Sequence, residues 1–390
     1  MMNYDSILNP TVVNDIKPSG IRKFFDIASS MEGVISLGVG EPDFPTPWHV
    51  RRAGIKSLEE SKTRYTSNAG LLELRREICR FLLRKYGLEY CPDNEVLVTV
   101  GGSEGIDAAI RALVAYGDEV IIPQPSFVCY EPIVRLAGGV PVPLELKAEN
   151  EFRLTADELK SAITDKTKLL VFPFPCNPTG AIMEREDLEA VAAVLRETNV
   201  CVLSDEIYSE LTYGGRKHVS IASVDGMRER TVVINGFSKT YSMTGWRMGY
   251  ACAPAPIIKQ MTKIHQYAIM SAPTTAQYAS IEALKKGDED IERMLEEYDM
   301  RRRLTVAGFN KLGMDCFEPK GAFYVFPSIK RTGMTSEEFC ERLLLSKKVA
   351  VVPGNAFGNS GEGFVRVSYC YSTGHIKEAL SRIKEFLDEI

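Results

Sequence analysis

Lys168-Leu169-Leu170-Val171-Phe172, a helical pattern over Arg185–Thr198, and then Val200-Cys201-Val202-Leu203 form the stretch that decides the fold. The two flanking runs are short and apolar. They do not alternate between apolar and polar, as a strand with one wet face would. Unbroken apolar runs suit strands covered on both faces, which is the situation in a parallel sheet with helices on either side. The same kind of run recurs at Glu95–Val100, Glu119–Ile122, Val232–Ile234 and Gly249–Ala253. Helical patterns lie among them at Gly105–Tyr116, Val128–Leu136, Ile257–Met270 and Thr274–Lys286. Strand alternating with helix over about 200 residues predicts an α/β layer with a mostly parallel sheet.

The C-terminal part has a different texture. Ile291–Leu312 is a long charged amphipathic pattern, followed by a strand signal at Ala322–Phe326 and a helix at Ser336–Ser346. Strands are expected near Val349–Val352 and Phe364–Val367, with a final helix from Thr373. This predicts a second, smaller α+β domain. The proline-rich Glu41–Pro47 reads as a crossing loop, so residues just before it are expected to join that domain. The expected division is an arm at 1–26, a large domain at 48–285, and a small domain made of 27–47 with 286–390.

Composition narrows the function. The chain has 390 residues, 45% apolar and 25% charged, with a net charge of −5. That balance gives no basic footprint for nucleic acid and no polybasic signal for a membrane surface. Nine cysteines are scattered without a Cys-x-x-Cys pair, and the four histidines are isolated. A disulfide framework or a metal site is therefore not expected. The first 20 residues lack the apolar centre of a signal peptide, and no run reaches the roughly 18 apolar residues of a membrane span. The expectation is a soluble cytoplasmic protein.

Four segments at predicted strand ends hold chemistry-bearing residues, the position where ligands sit in open α/β sheets. Gly101-Gly102-Ser103-Glu104-Gly105 follows one strand and precedes a helix. It could cradle a phosphate on free backbone N–H groups, or be a plain turn. Pro173-Phe174-Pro175-Cys176-Asn177-Pro178-Thr179-Gly180 would hold the Asn177 amide rigidly, or simply be a stiff loop. In Ser204-Asp205-Glu206-Ile207-Tyr208 the acid Asp205 could face a cation, a metal or a protonated ring nitrogen, or cap a helix. Asn235–Tyr250 carries Lys239 and Arg247 among small residues. A poorly solvated lysine favours its neutral, nucleophilic form, and an arginine can fork onto phosphate. Two surface cations on a loop is the plainer alternative.

Taken together and in order, Asn177-Pro178-Thr179-Gly180, Asp205-Glu206-Ile207-Tyr208, Ser238-Lys239 and Gly245-Trp246-Arg247-Met248-Gly249 closely resemble the class I/II aminotransferases. These are pyridoxal-phosphate enzymes of fold type I. The resemblance runs from Leu37-Gly38-Val39-Gly40-Glu41-Pro42-Asp43-Phe44 to Arg366-Val367-Ser368-Tyr369 and includes Pro319–Tyr324 and Val352-Pro353-Gly354. Ser19-Gly20-Ile21-Arg22-Lys23 and Asn235–Gly249 look especially like archaeal and related bacterial aromatic-type members. The resemblance implies a large domain with a mostly parallel seven-stranded sheet flanked by helices, plus the smaller α+β domain.

It also implies roles. Lys239 would hold the cofactor aldehyde as a Schiff base and then move the substrate α-proton. Asp205 would keep the ring nitrogen protonated. Asn177 and Tyr208 would hydrogen-bond the phenolic oxygen, and Phe127 would stack on the ring. The phosphate would rest on Gly101, Gly102 and Ser103, with Ser238 and Arg247. Gly236 stands where many members carry a serine, which removes one phosphate contact. Tyr65 would reach the phosphate from a partner subunit, making the active unit a homodimer with shared sites. Arg366 would bind the substrate carboxylate, helped by Asn177 and the Gly40 backbone. The reaction would move an amine from an L-amino acid to a 2-oxo acid, 2-oxoglutarate by preference, in a ping-pong cycle.

The donor is less legible. Tyr267–Pro273, where one subgroup carries a side-chain-binding arginine, has none. Arg22, Lys62 or Arg64 could serve instead. An aromatic donor is expected first, with aspartate, alanine or an acylated diamino acid open. A carbon–sulfur lyase using the same lysine is the alternative of another class. A transcription regulator of this fold would need a basic helix-turn-helix before Leu37, and a Rossmann oxidoreductase would need a glycine fingerprint not found here.

Overall fold

The computed structural model describes Tyr4, Leu8, residues 11–16, Gly20 and residues 31–390. Arg22, most of the expected arm at 1–26, and residues 27–30 of the expected small domain lie outside the described residues. In chain order the first elements are β1 (Ile35–Ser36), α1 (Trp48–Glu59), α2 (Leu72–Tyr86), β2 (Val96–Thr99) and α3 (Gly101–Leu113). Next come β3 (Glu119–Gln124), α4 (Tyr130–Leu136), β4 (Val140–Glu145), α5 (Ala156–Ala162), β5 (Thr167–Phe172), α6 (Arg185–Arg196) and β6 (Cys201–Asp205). β7 (Thr231–Gly236), β8 (Gly249–Cys252), α7 (Ala255–Ala268), α8 (Thr274–Lys286) and α9 (Asp288–Lys311) follow. The chain ends with β9 (Tyr324–Val325), α10 (Ser336–Lys347), β10 (Val349–Ala350), β11 (Val352–Pro353), β12 (Val365–Ser368) and α11 (Thr373–Asp388).

The central sheet has seven strands in the order β2-β8-β7-β6-β5-β3-β4. Its pairings are parallel except the two made by β8, which runs against both neighbours. The side chains of β5 show why the apolar runs do not alternate. Leu169 and Val171 pack with Ile106, Ile110 and Met261 of α3 and α7, while Leu170 and Phe172 pack with Leu188, Val191 and Leu195 of α6. Each such residue is fully or almost fully buried, and each contributes roughly 1.5–3 kcal/mol of hydrophobic stabilisation.

β4 has no counterpart among the expected strands. Its sequence, Val-Pro-Val-Pro-Leu-Glu, carries two prolines and is mostly half-exposed. Proline cannot donate to a ladder, so such a strand fits only at a sheet edge, where β4 lies. The helices α1, α2 and α5 were likewise absent from the pattern. The helix expected from Gly105 begins four residues earlier, so the glycine segment is its first turn.

β1 pairs in parallel with β10, through Ile35↔Val349 and Ser36↔Ala350, and Ser368 N–H donates to Leu37 O at 2.8 Å. Residues 35–37 thus belong to the same packing unit as the C-terminal elements. The core around these elements includes Leu37, Tyr298, Phe323, Phe339 and Ile383, joined by Tyr208, Leu211 and Tyr213 from the segment after β6. Among the described residues no helix is long and apolar enough to cross a membrane, and no cluster of three His, Cys, Asp or Glu could hold a metal.

Candidate active site

The strand directions bring the four segments together. The carboxyl ends of β2, β5, β6 and β7 share one edge of the sheet, and β8, running the other way, begins at that edge. Arg247, just before β8, is therefore delivered to the same place as Asp205 and Lys239. A cavity of about 300 Å³ opens there. Gly40, Gly102, Ser103, Phe127, Asn177, Asp205, Tyr208, Ser238, Lys239, Arg247 and Arg366 all line it.

The backbones at this edge approach closely. Gly101 has φ +75°, and a Cβ there would lie 2.4 Å from Arg247 Nη2. A Cβ on Gly249 would lie 2.5 Å from the Gly101 carbonyl carbon. Only glycine lets the start of α3, the start of β8 and the Arg247 guanidinium share this space. Gly101 itself does not line the cavity. The helix that begins there has unpaired N–H groups in its first turn, and Gly102 and Ser103 of that turn line the cavity together with Arg247, as an anion site requires.

Asp205 is buried at the end of β6. Tyr130 O–H donates to its Oδ2 at 2.7 Å, and Ile207 N–H donates to its Oδ1 at 3.2 Å. Burial pushes its carboxyl above the ordinary range, and these two donors hold the rise in check. Lys239 donates from Nζ to Gly40 O at 2.6 Å. Burial lowers its pKa to about 8, because the charged amine is poorly solvated there. A neutral amine is thus within reach near neutral pH.

Arg366, buried on β12, donates from Nη1 to Asn177 Oδ1 at 2.9 Å and from Nη2 to Gly38 O at 2.5 Å. Its Nε is buried with no hydrogen-bond partner. Arg247 donates to Thr244 O at 3.1 Å and has no carboxylate partner among the described residues. Two guanidiniums and a lysine thus face one cavity whose lining carboxylate is Asp205. This is a cavity built to receive anionic groups.

Tyr65 is the predicted site residue that lies elsewhere. It is 83% exposed and does not line the cavity. Sequence reading missed Tyr130 and missed any role for Tyr324, both of which line the cavity. Tyr130 is the first residue of α4 while Phe127 lies in the loop before it, so no helical spacing marked Tyr130 out from a core aromatic.

The aminotransferase class I and II family model matches residues 32–383. The chain is 47% identical over 376 residues to the aspartate aminotransferase of Pyrococcus abyssi, covering 96% of this chain and 97% of that one. The chain belongs to the class I and II aminotransferases, pyridoxal-phosphate-dependent transaminases of fold type I. It is also 43% identical over 376 residues to the aromatic-amino-acid aminotransferase 2 of Thermococcus litoralis, with 96% of this chain and 97% of that one covered. Among solved structures, the aromatic aminotransferase from Pyrococcus horikoshii matches with a TM-score of 0.90 and 45% identity, covering 94% of this chain and 99% of that one.

The aminotransferase cofactor carries a phosphate, a ring and an aldehyde, and the residues present fit all three. The uncompensated Arg247 guanidinium, the hydroxyls of Ser103 and Ser238 and the start of α3 suit the phosphate. Phe127 and Asp205 suit the ring, and Lys239 suits the aldehyde. One feature of the family pattern does not fit here. A Cβ on Gly236 would lie 2.9 Å from Met248 O and 3.0 Å from Ile207 Cδ1. The serine found there in many members has no room unless β8 or Ile207 moves.

Proposed function

We propose that this chain transfers the amino group of an aromatic L-amino acid to a 2-oxo acid, 2-oxoglutarate by preference. The observation that carries the transfer is Lys239, a largely desolvated amine in a cavity that Asp205 and Arg366 also line. When bound, pyridoxal phosphate would supply an aldehyde that takes up the amine and a ring that draws electrons from the α-carbon. Lys239 would hold that aldehyde and, as a free amine, would accept and return the substrate α-proton. Asp205 would face the ring nitrogen and favour its protonated form. Asn177 and Tyr208 would serve as donors to the phenolic oxygen, and Phe127 would lie against the ring. Gly101, Gly102, Ser103, Ser238 and Arg247 would hold the phosphate. Arg366 takes the substrate carboxylate as a bidentate pair, beside Asn177 and the Gly40 backbone.

The cavity lining supports an uncharged donor side chain. Among the described residues its cations are Lys239, Arg247 and Arg366, each already assigned. Lys62 is paired with Glu60 at 2.7 Å, and neither it nor Arg64 lines the cavity. Among the described residues of one chain, an aspartate side chain would find no further cation lining the cavity. Relatives named for aspartate and for aromatic amino acids resemble the chain about equally, so this lining is the stronger argument.

The reading includes a homodimer with shared sites. Exposed Trp48, Ile55 and Leu58 on α1, together with exposed Tyr65, support it, since exposed apolar side chains on one helix want a covering surface. It also keeps the division into 48–285 and 27–47 with 286–390, supported by the β1–β10 pairing. Nine free cysteines suit the cytoplasm.

The test is the visible absorption of the loaded protein, with amino acids added singly and no oxo acid present. Bleaching by tyrosine or phenylalanine, restored by 2-oxoglutarate, is the expected result. Bleaching by aspartate or alanine alone would leave transamination standing and overturn the donor. Release of pyruvate from cystathionine would point to carbon–sulfur cleavage instead.

A further inference from the structure

Tyr324 opens β9, and the register of β9 on β12 sets Tyr324 opposite Ser368, two residues beyond Arg366. Its hydroxyl lies 3.0 Å from the Tyr208 hydroxyl, and both phenols are buried. Its ring lies 4.6 Å from the Arg366 guanidinium carbon. The same hydroxyl fills the space beside Gly40, where a Cβ would fall 2.0 Å from it. One side chain thus touches the neighbours of the lysine, the phenolic-oxygen ligand and the carboxylate ligand.

We propose that Tyr324 is a positioning residue that orients the Tyr208 hydroxyl, donating to it so that the Tyr208 proton is free to point into the cavity. Two phenols 3.0 Å apart share a single hydrogen bond, and the more acidic one is the donor. Arg366 over the ring makes Tyr324 the more acidic, because a cation favours the phenolate. The pKa values agree in direction. Tyr324 is pushed up to about 12 by burial, with Arg366 and Tyr208 opposing the rise, whereas burial and Tyr324 itself push Tyr208 well above its ordinary value, with Arg366 a lesser opposing cause there. A donor behind a hydroxyl strengthens that hydroxyl's own donation, since chained hydrogen bonds polarise one another.

The inference rests on the reading that Tyr208 donates to the cofactor's phenolic oxygen. That donation withdraws electron density that would otherwise hold the proton on the neighbouring nitrogen. Weakening it raises the pH at which the visible band of bound pyridoxal phosphate changes. Three variants loaded with pyridoxal phosphate are titrated beside the wild type: Tyr324→Phe, Tyr208→Phe and the double variant. Tyr324→Phe keeps the ring under Arg366 and is near-isosteric.

The expected result is a midpoint raised by about half a unit to one unit in Tyr324→Phe and by more in Tyr208→Phe. The double variant should match Tyr208→Phe, because a residue acting through another adds nothing once that other is gone. The KM for the amino acid should stay within about twofold in Tyr324→Phe, because the ring contact with Arg366 survives. An unchanged midpoint in Tyr324→Phe overturns the inference. So does a double variant whose shift is the sum of the two single shifts. A wild-type protein that shows no band with pyridoxal phosphate defeats the underlying reading instead, which keeps the two failures distinct.

Discussion

Lys239 reaches the carbonyl of Gly40 with a 2.6 Å hydrogen bond, tying the loop after β7 to the segment that crosses from β1. Two residues earlier, the Gly38 carbonyl accepts from Arg366 at 2.5 Å. Farther along, Thr46 O–H donates to Ser242 O at 2.5 Å and Asp43 pairs with Arg301 at 2.8 Å. One short segment is thus fastened both to Lys239 and to Arg366.

The Lys239 environment sets a pH window for cofactor uptake. The neutral amine is the nucleophile, and burial lowers its pKa to about 8. The rate of pyridoxal phosphate uptake by cofactor-free protein should therefore rise with pH through about 8 and then level off. A fully solvated lysine would keep gaining up to about 10.4. Stopped-flow absorbance across pH 6–10 checks this, and Lys239→Ala should give no band at any pH. Folding stability should follow the same sign. The folded state releases this proton before the unfolded state does, so the cofactor-free wild type gains stability as pH rises from about 8 to about 10.4, and Lys239→Ala lacks that gain.

Removing the Tyr130 hydroxyl should move the acid limb of activity. Tyr130→Phe takes away a 2.7 Å donor that opposes the burial-driven rise of the Asp205 carboxyl. Asp205 will then protonate at higher pH, and activity will fall off earlier on acidification. A hydrogen bond to a charged group is worth about 1.5–3 kcal/mol, so the acid limb should move up by roughly one to two pH units. Asp205→Asn should lose more, and its residual activity should no longer depend on pH in that range. Steady-state rates from pH 5 to 9 decide it.

Much of this arrangement was legible in the chain, and the illegible parts have physical causes. The strands ending at Phe172 and Asp205 announced themselves because burial on both faces demands unbroken apolar runs. β4 stayed hidden because Pro141 and Pro143 argue against a strand everywhere except at an edge, and edge position is a tertiary fact. Lys239, Asp205 and Arg247 could be singled out from their loops, but only the reversed direction of β8 explains how Arg247 reaches the others. Tyr130 and Tyr324 were indistinguishable from core aromatics in the sequence. Their hydroxyls acquire roles through partners 75 and 116 residues away. Gly236 was read as a lost hydroxyl. The structure adds that the position is crowded as well.

That crowding makes Gly236→Ser a sharp test. By family pattern alone, serine at 236 should add a phosphate contact and tighten the cofactor. By packing, the added Cβ meets Met248 O at 2.9 Å and Ile207 Cδ1 at 3.0 Å, and β8 holds its place by pairing Gly236 with Gly249. Overpacking of this kind costs about 1–3 kcal/mol. The variant should unfold at lower denaturant concentration and bind pyridoxal phosphate no more tightly than the wild type. Chemical denaturation and a cofactor titration check both halves.

Arg366→Lys should separate substrate binding from cofactor binding. The guanidinium spans Asn177 and Gly38, and its fork geometry matches a carboxylate in a way an ammonium does not. The variant should show the cofactor band unchanged, while kcat/KM for the amino acid falls by about 100-fold or more. Substrate-induced bleaching of the band, measured against amino-acid concentration, gives the comparison directly.

Tyr65 tests the shared site, because a residue 83% exposed on one chain can serve the phosphate only from a partner. Tyr65→Phe should weaken cofactor affinity while leaving the secondary structure intact. The stronger experiment mixes two inactive or weakened variants, Lys239→Ala and Tyr65→Phe, and lets subunits exchange. In a hybrid dimer the Tyr65→Phe chain keeps its own Lys239 and borrows Tyr65 from the other chain, so one site is entirely wild-type. Random mixing makes half the dimers hybrids with one good site of two, so recovery should approach about a quarter of wild-type activity above the variants' own background. If the two residues served the same chain's site, no hybrid would contain a site better than the Tyr65→Phe one, and mixing would recover nothing.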